Sequence, residues 1–238
     1  MLGGMKKIAV VTGGSAGIGE ASARALAADG WKVYVAARRV QRCQRIAEEI
    51  GGVAVELDVT DQGSVDKLAA KLERVDLLVN NAGGAKGVDY LRDADEERWR
   101  WMYETNVYGA VRVIKALYPA LLEASGLIIN IGSVAGTDAY KGGSGYNAAK
   151  FGLRGLTRAL RREEADNLIR VTEIDPGRVE TDFALNRLED EEGAAAVYEG
   201  KLNLTAEDIA ETVRWVASMP AHVNIDTLSI MPLDQAER

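Results

Sequence analysis

Cysteine and histidine are almost absent from this chain of 238 residues, which contains one of each, Cys43 and His222. A single cysteine forms no disulfide within the chain, so a reducing compartment is expected. A zinc site needs more ligands of these two types than the chain has. A serine or cysteine nucleophile activated by histidine would depend on His222 alone. The sequence therefore predicts no metal site.

The chain also lacks a net positive charge and long apolar runs. The net charge is −7, and the chain has no block rich in lysine or arginine. These features argue against nucleic acid as a partner and against a surface of anionic lipids. The apolar run KIAVV near the N-terminus is far too short to span a bilayer, and it leads into a glycine turn instead of a cleavage site. We interpret it as the first strand of a cytoplasmic protein, with Met5 as a candidate start and residues 1–4 disordered.

The chain does have a regular alternation of short apolar runs and segments of helical periodicity. The predicted strands lie at 7–12, 32–36, 53–57, 75–80, 127–132, 169–174 and about 223–231. The predicted helices lie at 17–29, 40–50, 61–73, 95–123, 145–165 and 205–218, the last with Thr205 as N-cap and Asp208 three residues on. Several strands are apolar on both faces, as parallel strands covered by helices are. The alternation predicts an α/β fold with a doubly wound sheet, in a single domain over 1–238.

One polar, acidic stretch at about 178–203 is longer than an ordinary connection. Connections of this length are usually functional lids or disordered segments. Because this one contains helix-forming pieces, we interpret it as a lid.

A glycine-rich turn, TGGSAGIG, joins the first strand to the first helix. Gly13 would make the tight turn, Gly17 would let the backbone approach a pyrophosphate, and Gly19 would let helix and strand pack closely. Phosphate would then bind the free N–H groups of the helix N-terminus. Because the motif follows a strand and opens a helix, it predicts a dinucleotide site.

The end of the second strand predicts which dinucleotide is bound. An acidic residue at this place selects NAD, but here Ala37 is followed by Arg38 and Arg39. Two guanidinium groups suit the 2′-phosphate of NADP, and Ser15 in the glycine turn would add a hydroxyl. The alternative is that both arginines are solvated residues at the start of a helix. The sequence favours NADP.

Tyr146 and Lys150, in the stretch GSGYNAAKFG, are four residues apart on a predicted helix, so their side chains share one face. Such a pair is common by chance and alone decides nothing.

Six further motifs follow one another along the chain: LDV at 57–59, NNAG at 80–83, ETNVYGA with Asn106, NIGSVAG with Ser133, YNAAK with Tyr146 and Lys150, and DPGRVETDF with Pro176, Gly177 and Thr181. In this order they make the chain resemble the short-chain dehydrogenase/reductase superfamily over nearly its whole length. The resemblance implies a Rossmann fold with seven parallel strands in the order 3-2-1-4-5-6-7.

The resemblance also implies residue roles. Tyr146 is expected to be the general acid/base, whose pKa is lowered by Lys150 together with the charge of the oxidised nicotinamide. Lys150 would also hold the nicotinamide ribose. Ser133 would orient the substrate oxygen, and Asn106 would hold a water that links Lys150 to solvent. The expected cofactor contacts are Gly13, Ser15, Gly17, Ile18, Gly19, Arg38, Arg39, Asp58, Val59, Asn80, Ala82, Gly83, Tyr146, Lys150, Pro176, Gly177, Val179 and Thr181.

The C-terminal third, ending in SIMPLDQ, is similar to the NADP-dependent 3-hydroxy acid dehydrogenases, which act on serine, allo-threonine and related acids. The 3-oxoacyl carrier-protein reductases are an alternative, but they typically end in a Val-Asp-Gly-Gly type segment. A broad carbonyl or aldehyde reductase of a secondary pathway stays open. A catalytically silent NADP-binding sensor is the alternative outside enzymes, and the intact set of four catalytic residue types argues against it.

A 3-hydroxy acid carries a carboxylate, so a cation is expected near the lid. Arg187 is our hypothesis, with Arg178 and Lys141 as further candidates. Ser133 and Tyr146 would be the other substrate contacts. The resemblance also implies a homotetramer, joined through the long helices at about 95–123 and 145–165.

Overall fold

A sheet of seven parallel strands forms the centre of the structure, a computed structural model that describes residues 6–236. The strands are β1 (Ile8–Thr12), β2 (Lys32–Ala37), β3 (Val53–Glu56), β4 (Leu77–Asn80), β5 (Leu127–Ile131), β6 (Arg170–Pro176) and β7 (Thr227–Ile230). Their order is β3-β2-β1-β4-β5-β6-β7, and every neighbouring pair is parallel. The predicted α/β fold and strand order are confirmed. The interpretation of Met5 and residues 1–4 lies outside the described residues.

Helices follow the strands in turn. They are α1 (Gly17–Ala28), α2 (Val40–Ile50), α3 (Gln62–Ala69), α4 (Glu96–Tyr103), α5 (Gly109–Ala124), α6 (Ser144–Glu163), α7 (Phe183–Leu188), α8 (Glu191–Tyr198) and α9 (Ala206–Ser218). The predicted start of α9 is confirmed, since Thr205 and Asp208 form a reciprocal capping box.

The strand β7 is shorter than the predicted segment of about 223–231. The side chain of Asn224 accepts a hydrogen bond from the Val171 N–H (2.8 Å) and donates one to the Val171 carbonyl (3.0 Å). An amide side chain therefore replaces the backbone as the partner of β6 at this point.

The strands are apolar on both faces because each face has its own core. Alternate residues of a strand point to opposite sides, so Val11 joins a buried cluster with α1, α2 and α9, whereas Val10 joins one with α3, α5 and α6. This burial on both sides explains the near-continuous apolar runs in the sequence.

The predicted helix at 95–123 is divided in two. A π-helical turn, Glu104–Tyr108, separates α4 from α5 and contains Asn106. The side-chain amide of Asn106 donates to the Met102 carbonyl (2.7 Å) and to the Gly84 carbonyl (2.8 Å). π-helical turns inside helices often mark functional sites.

The segment predicted as a lid contains the short helices α7 and α8. A backbone hydrogen bond from the Gly87 N–H to the Arg187 carbonyl (2.9 Å) joins α7 to the loop after β4. This segment is therefore attached to the loop after β4, and its role as a lid stays a prediction.

Three aromatic side chains, Tyr103, Tyr108 and Phe151, are exposed on the helical region from α4 to α6. They lie on the helices through which the sequence predicts subunits to associate, and the tetramer stays a prediction. No helix within residues 6–236 is both long and apolar enough to cross a membrane.

Candidate active site

A cleft of about 1050 Å³ runs along the carboxyl ends of the strands. Ligands of open parallel α/β sheets bind at this edge. Most of the predicted site residues line the cleft, namely Gly13, Ser15, Gly17, Ile18, Arg38, Arg39, Asp58, Val59, Ala82, Gly83, Ser133, Tyr146, Lys150, Pro176, Gly177, Val179, Thr181 and Arg187.

Two predicted cofactor residues lie outside the cleft lining. A Cβ at Gly19 would lie 2.4 Å from the Gly13 carbonyl oxygen, so Gly19 serves helix–strand packing, as expected. Asn80 instead donates from its amide to Asn130 Oδ1 (3.0 Å) within the protein interior. The Asn80 side chain therefore points away from the cleft, and its expected cofactor contact stays a prediction. Its neighbour Asn81 lines the cleft, since successive residues of an extended chain face opposite ways.

The glycine turn is shaped for a dinucleotide. Gly13 and Gly17 have φ values of +64° and +53°, in the left-handed region that favours glycine. A Cβ at Gly17 would lie 3.3 Å from Thr181 Cγ2, in the space between the turn and the lid segment. A side chain at this glycine would fill the place that a pyrophosphate needs, so the turn fits the group that the sequence predicts.

Two arginines border the same end of the cleft. Arg39 Nε donates to Ser15 Oγ (3.1 Å), which connects the guanidinium to the glycine turn. Burial opposes ionisation of Asp58, but hydrogen bonds from Thr60 and the charge of Arg38 lower the pKa of Asp58 overall. Arg38 and Arg39 are exposed, so their remaining donors are available to an anion.

The catalytic residue types come together from α6 and the end of β5. Tyr146 and Lys150 are buried on α6, and Lys150 Nζ lies 5.8 Å from the centre of the Tyr146 ring. Lys150 Nζ donates to the Ile131 carbonyl (2.9 Å), just before Ser133. Asn106 lies outside the cleft lining, where its amide holds Gly84, and its role with a water molecule stays a prediction.

The groups of the protein raise the pKa of the Tyr146 phenol above its ordinary value. Burial is the main cause and Tyr140 adds to it, whereas a hydrogen bond with Ser133 and the charge of Arg187 act in the opposite direction. The phenol is therefore protonated at neutral pH and able to donate a proton.

The groups of the protein together do not lower the pKa of Tyr146, although Lys150 is expected to contribute to lowering it. Burial lowers the pKa of Lys150 to about 8, although Asp175 and Glu173 act to raise it. Lys150 remains mainly protonated at neutral pH, but its ammonium group is directed to the Ile131 carbonyl.

Arg187 lies over Tyr146. Its Nε donates to the Gly87 carbonyl (2.8 Å), and its Nη1 donates to the Tyr140 hydroxyl (2.6 Å). Its Cζ is 5.7 Å from the centre of the Tyr146 ring. Its Nη2 is buried and, within residues 6–236, has no hydrogen-bond partner. Arg187 thus brings a charged donor to the end of the cleft that contains Ser133, Tyr146 and Lys150, called the reacting end below.

The other two candidate cations are placed differently. Arg178 donates to Asn203 Oδ1 (2.7 Å) and forms an ion pair with Asp234 (2.6 Å). Lys141 lies 5.7 Å from the centre of the Tyr90 ring and outside the cleft lining. Of the three, Arg187 is the one directed at Tyr146.

Several residues of the site are missed by sequence reasoning. Tyr140 orients Arg187, and the Phe183 ring lies 5.6 Å from the Tyr146 ring. Lys86 pairs with Glu189 of the lid (2.7 Å). No motif identifies these residues, because they come from three separate segments: the loop after β4, the loop before α6 and the segment that contains α7.

Comparisons with known proteins agree with this geometry. A sequence model described as short chain dehydrogenase matches residues 7–192. The chain belongs to the short-chain dehydrogenase family. An uncharacterized oxidoreductase of Mycobacterium tuberculosis is 51% identical over 237 residues, covering 99% of this chain and 94% of that protein.

Two relatives have more specific names. An NADP-dependent 3-hydroxy acid dehydrogenase of Escherichia coli is 39% identical over 238 residues, covering 96% of each chain. A solved structure of serine dehydrogenase in its closed form, complexed with NADP+, superposes with a TM-score of 0.93 at 39% identity, covering 97% of this chain and 96% of that one. The chain is therefore an oxidoreductase of this family related to 3-hydroxy acid dehydrogenases, and these NADP-binding relatives agree with the predicted cofactor.

Proposed function

We propose that the protein is an NADP-dependent dehydrogenase that interconverts a 3-hydroxy acid, such as serine or allo-threonine, with its semialdehyde or keto form. The observation that carries the proposal is the buried Nη2 of Arg187 beside Tyr146. A buried charged donor without a partner is costly, so a ligand with an acceptor at this place would be favoured.

A carboxylate suits this position. Tyr140 and the Gly87 carbonyl hold two of the three Arg187 nitrogens, which fixes the guanidinium plane. A carboxylate that accepts from Nη2 would gain a charge-assisted hydrogen bond. The hydroxyl on the third carbon of the acid would then reach towards Tyr146, because the Arg187 Cζ and the Tyr146 ring centre are 5.7 Å apart.

Each residue of the reacting end has a definite task. When bound, the nicotinamide supplies the hydride chemistry. Tyr146 exchanges a proton with the substrate oxygen, and Ser133 orients that oxygen by hydrogen bonding. Lys150 carries the positive charge that favours the phenolate, together with the cation of the oxidised ring. The protonated phenol at neutral pH suits proton donation to a carbonyl.

The preference for NADP is supported by the position of two guanidinium groups beside the glycine turn. Arg39 is held by Ser15, and Arg38 lies near Asp58, whose pKa its charge lowers. A 2′-phosphate would bind between such exposed donors, whereas Ala37 offers no carboxylate to the ribose hydroxyls of NAD.

The test is a spectrophotometric screen of Arg187→Met with NADP and NAD. The substrates are L-serine, D-serine, L-allo-threonine, 3-hydroxyisobutyrate and uncharged alcohols. We expect kcat/KM for the acids to fall about 10- to 100-fold, the effect of one hydrogen bond to a charged group. The alcohols should lose less, because for them Arg187 acts only through the effect of its charge on the pKa of Tyr146. Lys141→Met, which removes a cation outside the cleft lining, is the matched control.

Other outcomes point to the alternatives. An equal loss for acids and alcohols would refute the role of Arg187. Turnover of uncharged carbonyls alone would indicate a broad carbonyl reductase. NADP binding without turnover of any substrate would favour a sensor.

A further inference from the structure

Two buried carboxyl groups lie behind the catalytic residues. Glu173 and Asp175 are 1% and 0% exposed. They are alternate residues of β6, so both point to the face of the sheet that α6 covers. Buried acids of this kind need partners, because an isolated buried carboxylate is costly.

The two carboxyl groups meet above Gly132, the residue between β5 and Ser133. A Cβ on Gly132 would lie 2.1 Å from Asp175 Oδ1 and 2.9 Å from Glu173 Oε1. Both oxygens thus occupy the space that a side chain would take. A glycine at this position is what allows the acids to approach the catalytic end of β5.

The two acids differ in their partners. Asp175 accepts from the Ser133 N–H (3.1 Å) and from Arg154 Nη1 (2.9 Å). Neither oxygen of Glu173 accepts a hydrogen bond within the described residues, and no lysine or arginine there lies within 4.0 Å of its carboxylate. One proton held between the two carboxyl groups would satisfy Glu173 and remove the repulsion of two like charges.

We propose that Glu173 and Asp175 share one proton at neutral and lower pH, and that this pair positions Ser133 and keeps Lys150 in its charged form. The inference rests on the proposed function for its effect on catalysis. Neither acid lines the cleft, so the pair is a positioning element. The pair positions Ser133, because Asp175 accepts a hydrogen bond from the Ser133 N–H. It acts on Lys150 because the negative charge of the two acids raises the pKa of the Lys150 ammonium group.

The electrostatics agree with this geometry. Burial and then the charge of Asp175 raise the pKa of Glu173 to about 7, although Arg154 and Lys150 act to lower it. Lys150 and Arg154 of α6 act on Glu173 through their charges, and Asp175 acts on Tyr146 of the same helix. The other charged groups near Glu173 line a cavity with it, namely Arg158, Arg161 and Arg162 of α6 and Asp226 before β7.

Glu173 also borders a second cavity, of about 500 Å³, between α6 and the start of β7. Thr157, Arg158 and Asp226 line this cavity with it. This cavity shares no lining residue with the substrate cleft.

The first test needs no substrate. Infrared difference spectra of the wild-type protein are recorded while the pH is raised through neutrality. We expect the C=O stretching band of a protonated carboxyl group to disappear over this range and to be missing in Glu173→Gln. The control Glu164→Gln removes another buried acid, which accepts from Tyr118 (2.9 Å) far from the pair, and should keep the band. A band that survives in Glu173→Gln would overturn the shared proton.

The second test is the pH profile of kcat/KM. Above about pH 7 the wild-type pair loses its proton and gains a second negative charge, which keeps Lys150 protonated to higher pH. Glu173→Gln gains no such charge. Its kcat/KM should therefore begin to fall at a pH about one unit lower than that of the wild type, which is about a tenfold loss of kcat/KM on the basic side of the profile. An unchanged basic limb would refute the effect on Lys150. If no substrate is turned over, the proposed function fails, while the infrared test still decides the shared proton.

Discussion

The cofactor half and the substrate half of the cleft are built in different ways. The cofactor half is formed mainly by short stretches of sequence, such as the glycine turn between β1 and α1. The residues of such a stretch are neighbours in the chain, so the local backbone conformation brings them together. The substrate half is formed by residues far apart in the chain. Arg187 contacts Gly87, one hundred positions away, and Tyr140, forty-seven positions away.

The difference shows why the reaction class is easier to infer than the substrate. Phosphate binding needs backbone N–H groups in a turn, and a turn is encoded locally. Recognition of a small acid needs a charged donor at a fixed point, and here three separate segments determine that point. Related enzymes can therefore share a cofactor half while the substrate half varies.

The strongest test of this division is Tyr146→Phe, at the junction of the two halves. Loss of the phenol hydroxyl should lower kcat about 10²- to 10⁴-fold, since proton transfer contributes on this order. The affinity for NADP, measured by fluorescence titration, should change little. Tyr118→Phe is the matched control, because Tyr118 lies outside the cleft and contacts Glu164. A variant that retains normal kcat would contradict the role of Tyr146.

A smaller effect is expected when the cofactor half is altered alone. The double variant Arg38→Ala/Arg39→Ala should weaken NADP binding about 100-fold through lost charge-assisted hydrogen bonds, and leave NAD binding nearly unchanged. Isothermal titration with both cofactors measures this. Arg42→Ala/Arg45→Ala removes two exposed arginines of α2 outside the cleft lining and controls for net charge. Equal weakening for both cofactors would exclude a 2′-phosphate site.

The smallest effect concerns packing beneath the glycine turn. In Gly19→Ala the new Cβ meets the Gly13 carbonyl at 2.4 Å, and such overpacking costs about 1–3 kcal/mol. The melting temperature should fall by about 2–10 °C. Gly155→Ala, on α6, is the control, because a Cβ at this position has open space around it. We expect its melting temperature to equal or exceed that of the wild type. If both variants melt alike, Gly19 has no packing role.

Much of the fold and of the catalytic set follows from the sequence. The strand and helix periods predict the sheet, and the motifs around Ser133, Tyr146 and Lys150 predict residues that do line one cleft. The differences between the predicted and observed elements have local causes. The side chain of Asn224 shortens β7, Asn80 turns into the interior, and the π-helical turn around Asn106 interrupts a helix whose apolar period continues through it.

The sequence by itself determined the doubly wound sheet and the dinucleotide turn, because each depends on spacing within a few turns of chain. The roles of Ser133, Tyr146 and Lys150 come from the resemblance to the family and stay predictions. Only the tertiary structure decided that Arg187, and not Arg178 or Lys141, faces Tyr146, and that Glu173 and Asp175 meet over Gly132. These arrangements depend on which strands lie side by side and how the lid rests on the loop after β4. Such contacts between distant segments are set by packing, which no local pattern records.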